Sequence, residues 1–246
     1  MEFNYRLFQL DTEWNVLHMP DRPNGFGVLV LGEKNHFVDE NSSFWIQNAG
    51  RLQMISGLKR AGYTIFYSNL YGRNWGSPKA VTLAKRLYHI VMKSEILNER
   101  IHILAEGMGA LVALQLMEEM TEKIRSVAMI DPCVDLKAHL KHEKEHKFFY
   151  KLLKKELIAA YSLNDSEVEN VIIAQKRIDE LRSTLPVKIW QTTDRPTYPP
   201  QLHSRKYEEL RDAKNSPISL TLHLAEKRYS FSSSISNFYR QNEKFL

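Results

Sequence analysis

What most limits the fold of this chain is an alternation. Short apolar runs rich in β-branched and aromatic residues take turns with longer stretches of helical periodicity. The order reads as strand 26–31, helix 43–60, strand 63–68, helix 78–94, strand 101–105, helix 109–120 and strand 124–130. Strands of this length separated by helices wind into a mostly parallel sheet covered on both faces. Two runs at 3–10 and 14–19, joined at "DTE", fall outside the alternation and are expected to form an antiparallel hairpin at the sheet edge. Gly62 closes the basic end "LKRAG" of one helix as a C-cap, and Pro78 stands where a helix accepts proline in its first turn.

After Asp131 and Pro132 the alternation stops. Residues 134–184 read as helical and highly charged, with no strand candidate among them, and are expected to form an insertion. The alternation resumes with strand 187–191, a helix over 201–211, strand 218–224 and a final helix from about 232. The whole of 1–246 therefore reads as one α/β domain, with 134–184 as a helical lid over the carboxyl ends of the strands, where such sheets bind ligands.

Composition removes several classes of function. The 246 residues can bury a sizeable core without a disulfide or metal, and the single cysteine, Cys133, excludes an internal disulfide and points to a reducing compartment. No apolar run approaches the ~18 residues of a membrane span, and the amino terminus has neither the basic start nor the apolar stretch of a secretory signal. A cytoplasmic protein is the expectation. The net charge of +5 comes from 34 Lys and Arg against 29 Asp and Glu, too slight an excess to suggest nucleic acid. Residues 137–155 alone hold seven lysines against Glu143 and Glu145, so the basicity belongs to the lid.

One turn carries a chemical signal. Strand 101–105 runs through "AEGMG" directly into helix 109–120, with small residues on either side of the turn. This is the pattern of a nucleophile elbow, and the chain resembles the α/β-hydrolase superfamily of serine esterases, lipases and lysophospholipases. The resemblance extends over nearly the whole chain: the opening hairpin, "LGEKNH" after the first parallel strand, "NLYGRNWGSP" after the next, the elbow, the insertion after "MIDP", and "TTDRPTYPP" near the end. It implies an α/β-hydrolase fold in which Ala105 and Gly109 are the small positions and Gly107 stands at the nucleophile position. The family's acid falls on Asp194, although counting back from Pro199 selects Arg195. The family's histidine falls on Tyr229. The oxyanion hole would be made by the backbone N–H groups of Glu33 and Met108.

Two of the three implied triad positions, Gly107 and Tyr229, cannot attack or accept a proton. Glu106, just before the elbow, is a further departure from the family, and with Glu33 it brings negative charge beside the hole. Substitutes were sought among the remaining residues. Cys133 and Asp131 lie near the expected pocket rim, and His223 lies in the strand 218–224 on the face shared by Ser219 and Thr221. The plainer roles are a core thiol for Cys133 and turn carboxylates for Asp131 and Asp194.

In the insertion, Asp135, His139, His142 and His146 recur at helical spacing on one face, and His142 with His146 has the i, i+4 spacing of paired metal ligands. A solvated helix face explains them equally, so neither metal nor cofactor is expected. Phe148, Phe149, Leu152, Leu153, Leu157 and Ile158 form an apolar stripe against lysines. Such a helix can lie on an anionic membrane or receive a partner, but a lid covering its own pocket is the expected use. Together these features describe an α/β-hydrolase-like protein without catalysis, keeping a lidded pocket for an apolar or acyl small molecule or acting through a protein partner. The alternative is an active ester, thioester or lysophospholipid hydrolase using displaced residues.

Overall fold

The computed structural model describes residues 4–194, 196–224, 226 and 230–243. Its centre is an eight-stranded sheet in the order β1-β2-β4-β3-β5-β6-β7-β8. Strands β1 (Tyr5–Leu10) and β2 (Glu13–His18) form the expected hairpin, and β2 pairs antiparallel with β4 (Thr64–Ser68). From there the sheet is parallel through β3 (Gly27–Leu31), β5 (Ile101–Glu106), β6 (Ile124–Ile130), β7 (Val187–Thr192) and β8 (Ile218–His223). The inner strands β3 to β6 are buried at every residue, as strands covered on both faces should be, with polar residues such as His102, Glu106, Arg125 and Ser126 enclosed among the apolar ones. Edge strand β8 is largely exposed until its last residue, His223.

Helices cover both faces. On one side α3 (Pro78–Ser94), α4 (Gly109–Glu119) and α8 (Ser204–Asp212) pack on Leu29, Leu31, Ile103, Val127 and Ile189. On the other, α2 (Ala49–Arg60) and α9 (Ser232–Gln241) pack on Val28, Val30, Ile65, Leu104 and Trp190. The helix expected over 43–60 is two helices. Asn48 ends α1 (Phe44–Gln47) in an extended conformation and caps α2 through its side chain, which accepts the Arg51 N–H at 3.1 Å. The helix expected from 201 starts at Ser204, because Pro199 and Pro200 open a run of turns before it.

The insertion holds α5 (Leu136–His146), α6 (Tyr150–Tyr161) and α7 (Val168–Ala174). Its buried residues Leu136, Leu140, Leu153, Leu157, Val168 and Ile172 join Trp75, Met108 and Leu111 in a third core over the carboxyl ends of the strands. The apolar stripe of the insertion is only partly spent there. Leu153 and Leu157 are buried, but Phe148, Phe149 and Leu152 are exposed, Phe148 by 88%. The chain turns between α5 and α6 at Lys147, which adopts a left-handed conformation and swings the two phenylalanines outward.

Candidate active site

The turn from β5 to α4 has the backbone of an elbow. Gly107 adopts φ +52, a conformation that L side chains rarely take. Its N–H donates to the Ile130 carbonyl at 3.0 Å, and its carbonyl accepts the Cys133 N–H at 2.9 Å, so the turn is tied to β6 and the segment after it. Gly109 is needed for contact. A Cβ there would lie 2.3 Å from the Leu31 carbonyl oxygen, which is why α4 can cross the end of β3 so closely.

The space above Gly107 is not empty. A Cβ on Gly107 would stand 1.5 Å from Oε2 of Glu33 and 2.4 Å from its carboxyl carbon. The Glu33 side chain thus reaches from the loop after β3 into the volume that a residue at 107 would fill. There Oε2 accepts the Met108 N–H at 3.3 Å, while Oε1 accepts the Lys34 N–H at 2.6 Å and the Tyr198 hydroxyl at 3.1 Å. Three donors converge on one carboxylate. Burial raises the Glu33 carboxyl above its ordinary range, opposed by the Lys34 amide and reinforced by the Glu106 charge.

Aromatic and imidazole rings close the site from above. Trp75, held at φ +46 in the loop after β4, accepts the Tyr161 hydroxyl on its carbonyl at 2.8 Å and donates from its indole to Glu156 at 2.8 Å. Its ring stacks on His139, whose ring centre is 5.3 Å away, and His139 in turn meets Tyr198 at 5.1 Å and His203 at 6.1 Å. His139 is therefore inside the protein, while His146 on the same helix is exposed; the solvated face considered for this helix begins beyond His139. Burial holds His139 down to about 3 and His203 down to about 4, so both rings are neutral near pH 7. Neither nitrogen of His203 has a hydrogen-bond partner among the described residues. Of the histidine face, His142 and His146 stand 4.1 Å apart ring to ring, but His146 Nδ1 bonds to the His142 carbonyl at 2.7 Å. No group of three or more metal-ligating side chains occurs among the described residues.

The other sequence candidates are dispersed around this floor. Glu106 is buried and paired with Arg51 of α2, which donates Nε to Oε2 at 3.0 Å and Nη2 to Oε1 at 2.6 Å. Asp131, left-handed at φ +45, accepts the Gln191 amide at 3.1 Å and the Thr192 N–H at 2.6 Å, tying the end of β6 to β7. Cys133 is fully buried, and burial pushes its thiol well up, with the charges of Glu33 and Asp135 acting in the same direction. Asp194 is exposed two residues beyond β7. His223 ends β8, three strands from β5 or about 14 Å at ordinary strand spacing. Its Nδ1 faces the Leu224 carbonyl at 2.9 Å, and its ring packs against Phe231 at 4.6 Å. Arg195 and Tyr229 lie outside the described residues.

A hydrogen-bonded serine and histidine do occur, at the opposite end of β5. His102 Nδ1 lies 2.8 Å from Ser126 Oγ, and its Nε2 faces the Glu243 carboxylate at 3.4 Å. Tyr63 donates to the same carboxylate, and Tyr239 stacks on the imidazole at 4.3 Å. His102 and Ser126 are wholly buried. The pairing follows from register, since His102 and Ser126 are neighbours across β5 and β6. Sequence spacing alone could not reveal it.

No family model and no curated protein matches this sequence. Solved structures do match. A puromycin-hydrolysing peptidase of Mycobacterium tuberculosis superposes with a TM-score of 0.75 at 16% identity over 99% of this chain and 40% of its own. Est1E of Butyrivibrio proteoclasticus gives 0.70 at 11% identity, covering 97% of this chain and 98% of its own. A lipase/esterase of Lactobacillus plantarum gives 0.65 at 11%, over 98% and 99%. The chain has the α/β-hydrolase fold. The chain thus spans about two fifths of the peptidase but nearly all of the two esterases. At these identities the likeness is one of architecture. Within the α/β-hydrolase fold, the elbow after β5 is where a nucleophile side chain is displayed. In this chain that volume holds the Glu33 carboxylate. The backbone donor at Met108, which the sequence resemblance assigns to an oxyanion hole, is spent on the same group.

Proposed function

We propose that this α/β-hydrolase-like protein is catalytically silent and acts by binding. The observation that carries this reading is the 1.5 Å separation between Glu33 Oε2 and a Cβ built on Gly107. A nucleophile side chain and the Glu33 side chain cannot share that volume. An oxyanion needs free donors and no competing negative charge, whereas Met108 N–H here already faces a carboxylate. Cys133 does not replace the nucleophile, because a thiol raised by burial is poorly ionised. The Ser126–His102 pair is sealed in the core, with no route for a substrate.

The experiment is turnover of p-nitrophenyl acetate and p-nitrophenyl decanoate by the full chain, beside Glu33→Ala and Cys133→Ser. The expected result is no hydrolysis above the buffer rate in any of the three. Enzyme-dependent hydrolysis abolished by either substitution overturns the reading and restores an active hydrolase with displaced residues.

The exposed end of the lid favours a second reading of how the binding is done. Phe148, Phe149 and Leu152 project beside Lys147, Lys151 and Lys155, an apolar tip within a cationic field that suits an anionic membrane surface. Salt-sensitive sedimentation with phosphatidylserine vesicles, lost when the three lysines are reversed, would support it. Absence of sedimentation at low salt removes it.

A further inference from the structure

A cleft of about 410 Å³ lies between α4, the start of α5 and the segment after α7. Its lining includes neither Gly107, Met108 nor Glu33, so it is a different place from the elbow. Leu111 and Leu114 of α4, Leu136 of α5, and Ile178 and Leu181 beyond α7 give it apolar walls. That volume and lining fall within the ordinary range for small-molecule sites, which pair apolar walls with a few placed polar groups.

The charges at its mouth are matched with one exception. Lys176 pairs with Glu118 at 2.5 Å, Arg177 with Asp179 at 2.6 Å, and Lys206 with Asp135 at 3.2 Å. Lys137 lines both this cleft and the adjoining groove around Arg177 and Lys206, is half-buried, and has no hydrogen bond or ion pair among the described residues. Nor does its position in the helix account for it. Lys137 stands in the first turn of α5, where the helix dipole disfavours a cation and where the adjacent acid, the N-cap Asp135, is spent on the Ala138 N–H and on Lys206. A half-buried ammonium at the rim of an apolar cleft, with every nearby acid already taken, has the charge and location to receive an anion.

We propose that this cleft binds a small amphipathic carboxylate, with its apolar body against Leu111, Leu114 and Ile178 and its carboxylate on the Lys137 ammonium. An apolar tail removes wall surface from water, and a charge-assisted hydrogen bond at the rim fixes its direction. The inference does not depend on silence at the elbow, because no residue of the elbow touches the cleft.

Titration calorimetry of the full chain with decanoate and with decanol tests it, with thermal unfolding as the fold control. Decanoate is expected to bind, and decanol, lacking the charge, to bind at least roughly fivefold more weakly. Lys137→Glu is expected to weaken decanoate by more than about tenfold, to leave decanol within twofold, and to unfold no earlier than the parent, since an acid suits that helix turn. Leu181→Trp, at a half-buried wall position, is expected to weaken both ligands. Lys93→Glu, on the exposed face of α3, is expected to change neither. The proposal is overturned if decanoate gives no binding heat, if Lys137→Glu binds it as the parent does, or if Leu181→Trp leaves both ligands unaffected.

Discussion

The two ends of β5 hold separate parts of what a hydrolase needs. At its carboxyl end stand the elbow backbone, the start of a helix and the helical insertion packed over them, but the residue at the apex is a glycine and a carboxylate fills the space above it. At its amino end, a serine, a histidine and a glutamate stand in sequence of contact, but the serine and the imidazole are sealed in the core. Reaction requires reactive groups and access at one place. The amino-end array has a structural task instead. It fastens the end of α9 to the sheet, since Glu243 follows α9 and Tyr239 donates to the Ile103 carbonyl at 3.0 Å.

If the carboxyl end has become structural as well, damage there should be read in stability and not in turnover. The largest effect is expected from Arg51→Met, which strands the buried Glu106 carboxylate; about 3–5 kcal/mol should be lost in urea unfolding. At the other end of the strand, His102→Ala removes a packed ring and leaves Ser126 Oγ without its partner, at a cost of about 3 kcal/mol. Stability losses of these sizes at both ends, with no hydrolysis above the buffer rate in the parent or either variant, sustain the comparison. Turnover lost with His102 would break it.

Acid should act on the buried imidazoles, two of them at the mouth, beside His18, His36 and His102, which burial also holds down. His139 and His203 are held down to about 3 and about 4 by burial, whereas unfolding returns each to about 6.5. Above pH 6.5 neither state is protonated at these rings, and they add no slope. As pH falls through 6.5 the unfolded chain binds protons that the fold refuses, so stability falls, by about 2 kcal/mol for the pair between pH 7 and 5.5. His203→Phe should lessen the whole fall by about 1 kcal/mol, measured as the difference between urea midpoints at the two pH values.

A smaller effect is expected from Gly107→Ser. The left-handed conformation and the Glu33 collision together should cost about 1–3 kcal/mol. Combined with Glu33→Ala, the loss should be less than the sum of the single losses, because the collision has been removed. Strict additivity would mean that the two side chains do not compete for one volume, and the contrast between the ends of β5 would lose its clearest term.

Much of this arrangement is legible in the amino acids, and the illegible parts share a cause. Strand 124–130 reads as an apolar run interrupted only at Arg125 and Ser126, helix 78–94 carries its own proline start, and both have the expected bounds. The small residue at 109 is readable because helix and strand must touch there. The sequence suggests negative charge near the hole from Glu33, but not that its carboxylate would stand in the nucleophile's space. That contact joins loops after two different strands and depends on side-chain reach. His139 is similar. Its spacing groups it with His142 and His146, yet Trp75 and Tyr198, from distant segments, bury it. The Ser126–His102 pair depends on the register between β5 and β6, and periodicity within one strand carries no information about register.

The central claim is that nothing at the elbow can take up an acyl or phosphonyl group. Intact-mass analysis after prolonged incubation with a fluorophosphonate probe and, separately, with p-nitrophenyl decanoate tests it on a single-turnover scale, where even a very slow nucleophile is caught. The unmodified mass is expected in both cases. A single stoichiometric adduct, mapped by peptide sequencing to Glu33 or Cys133, would contradict it.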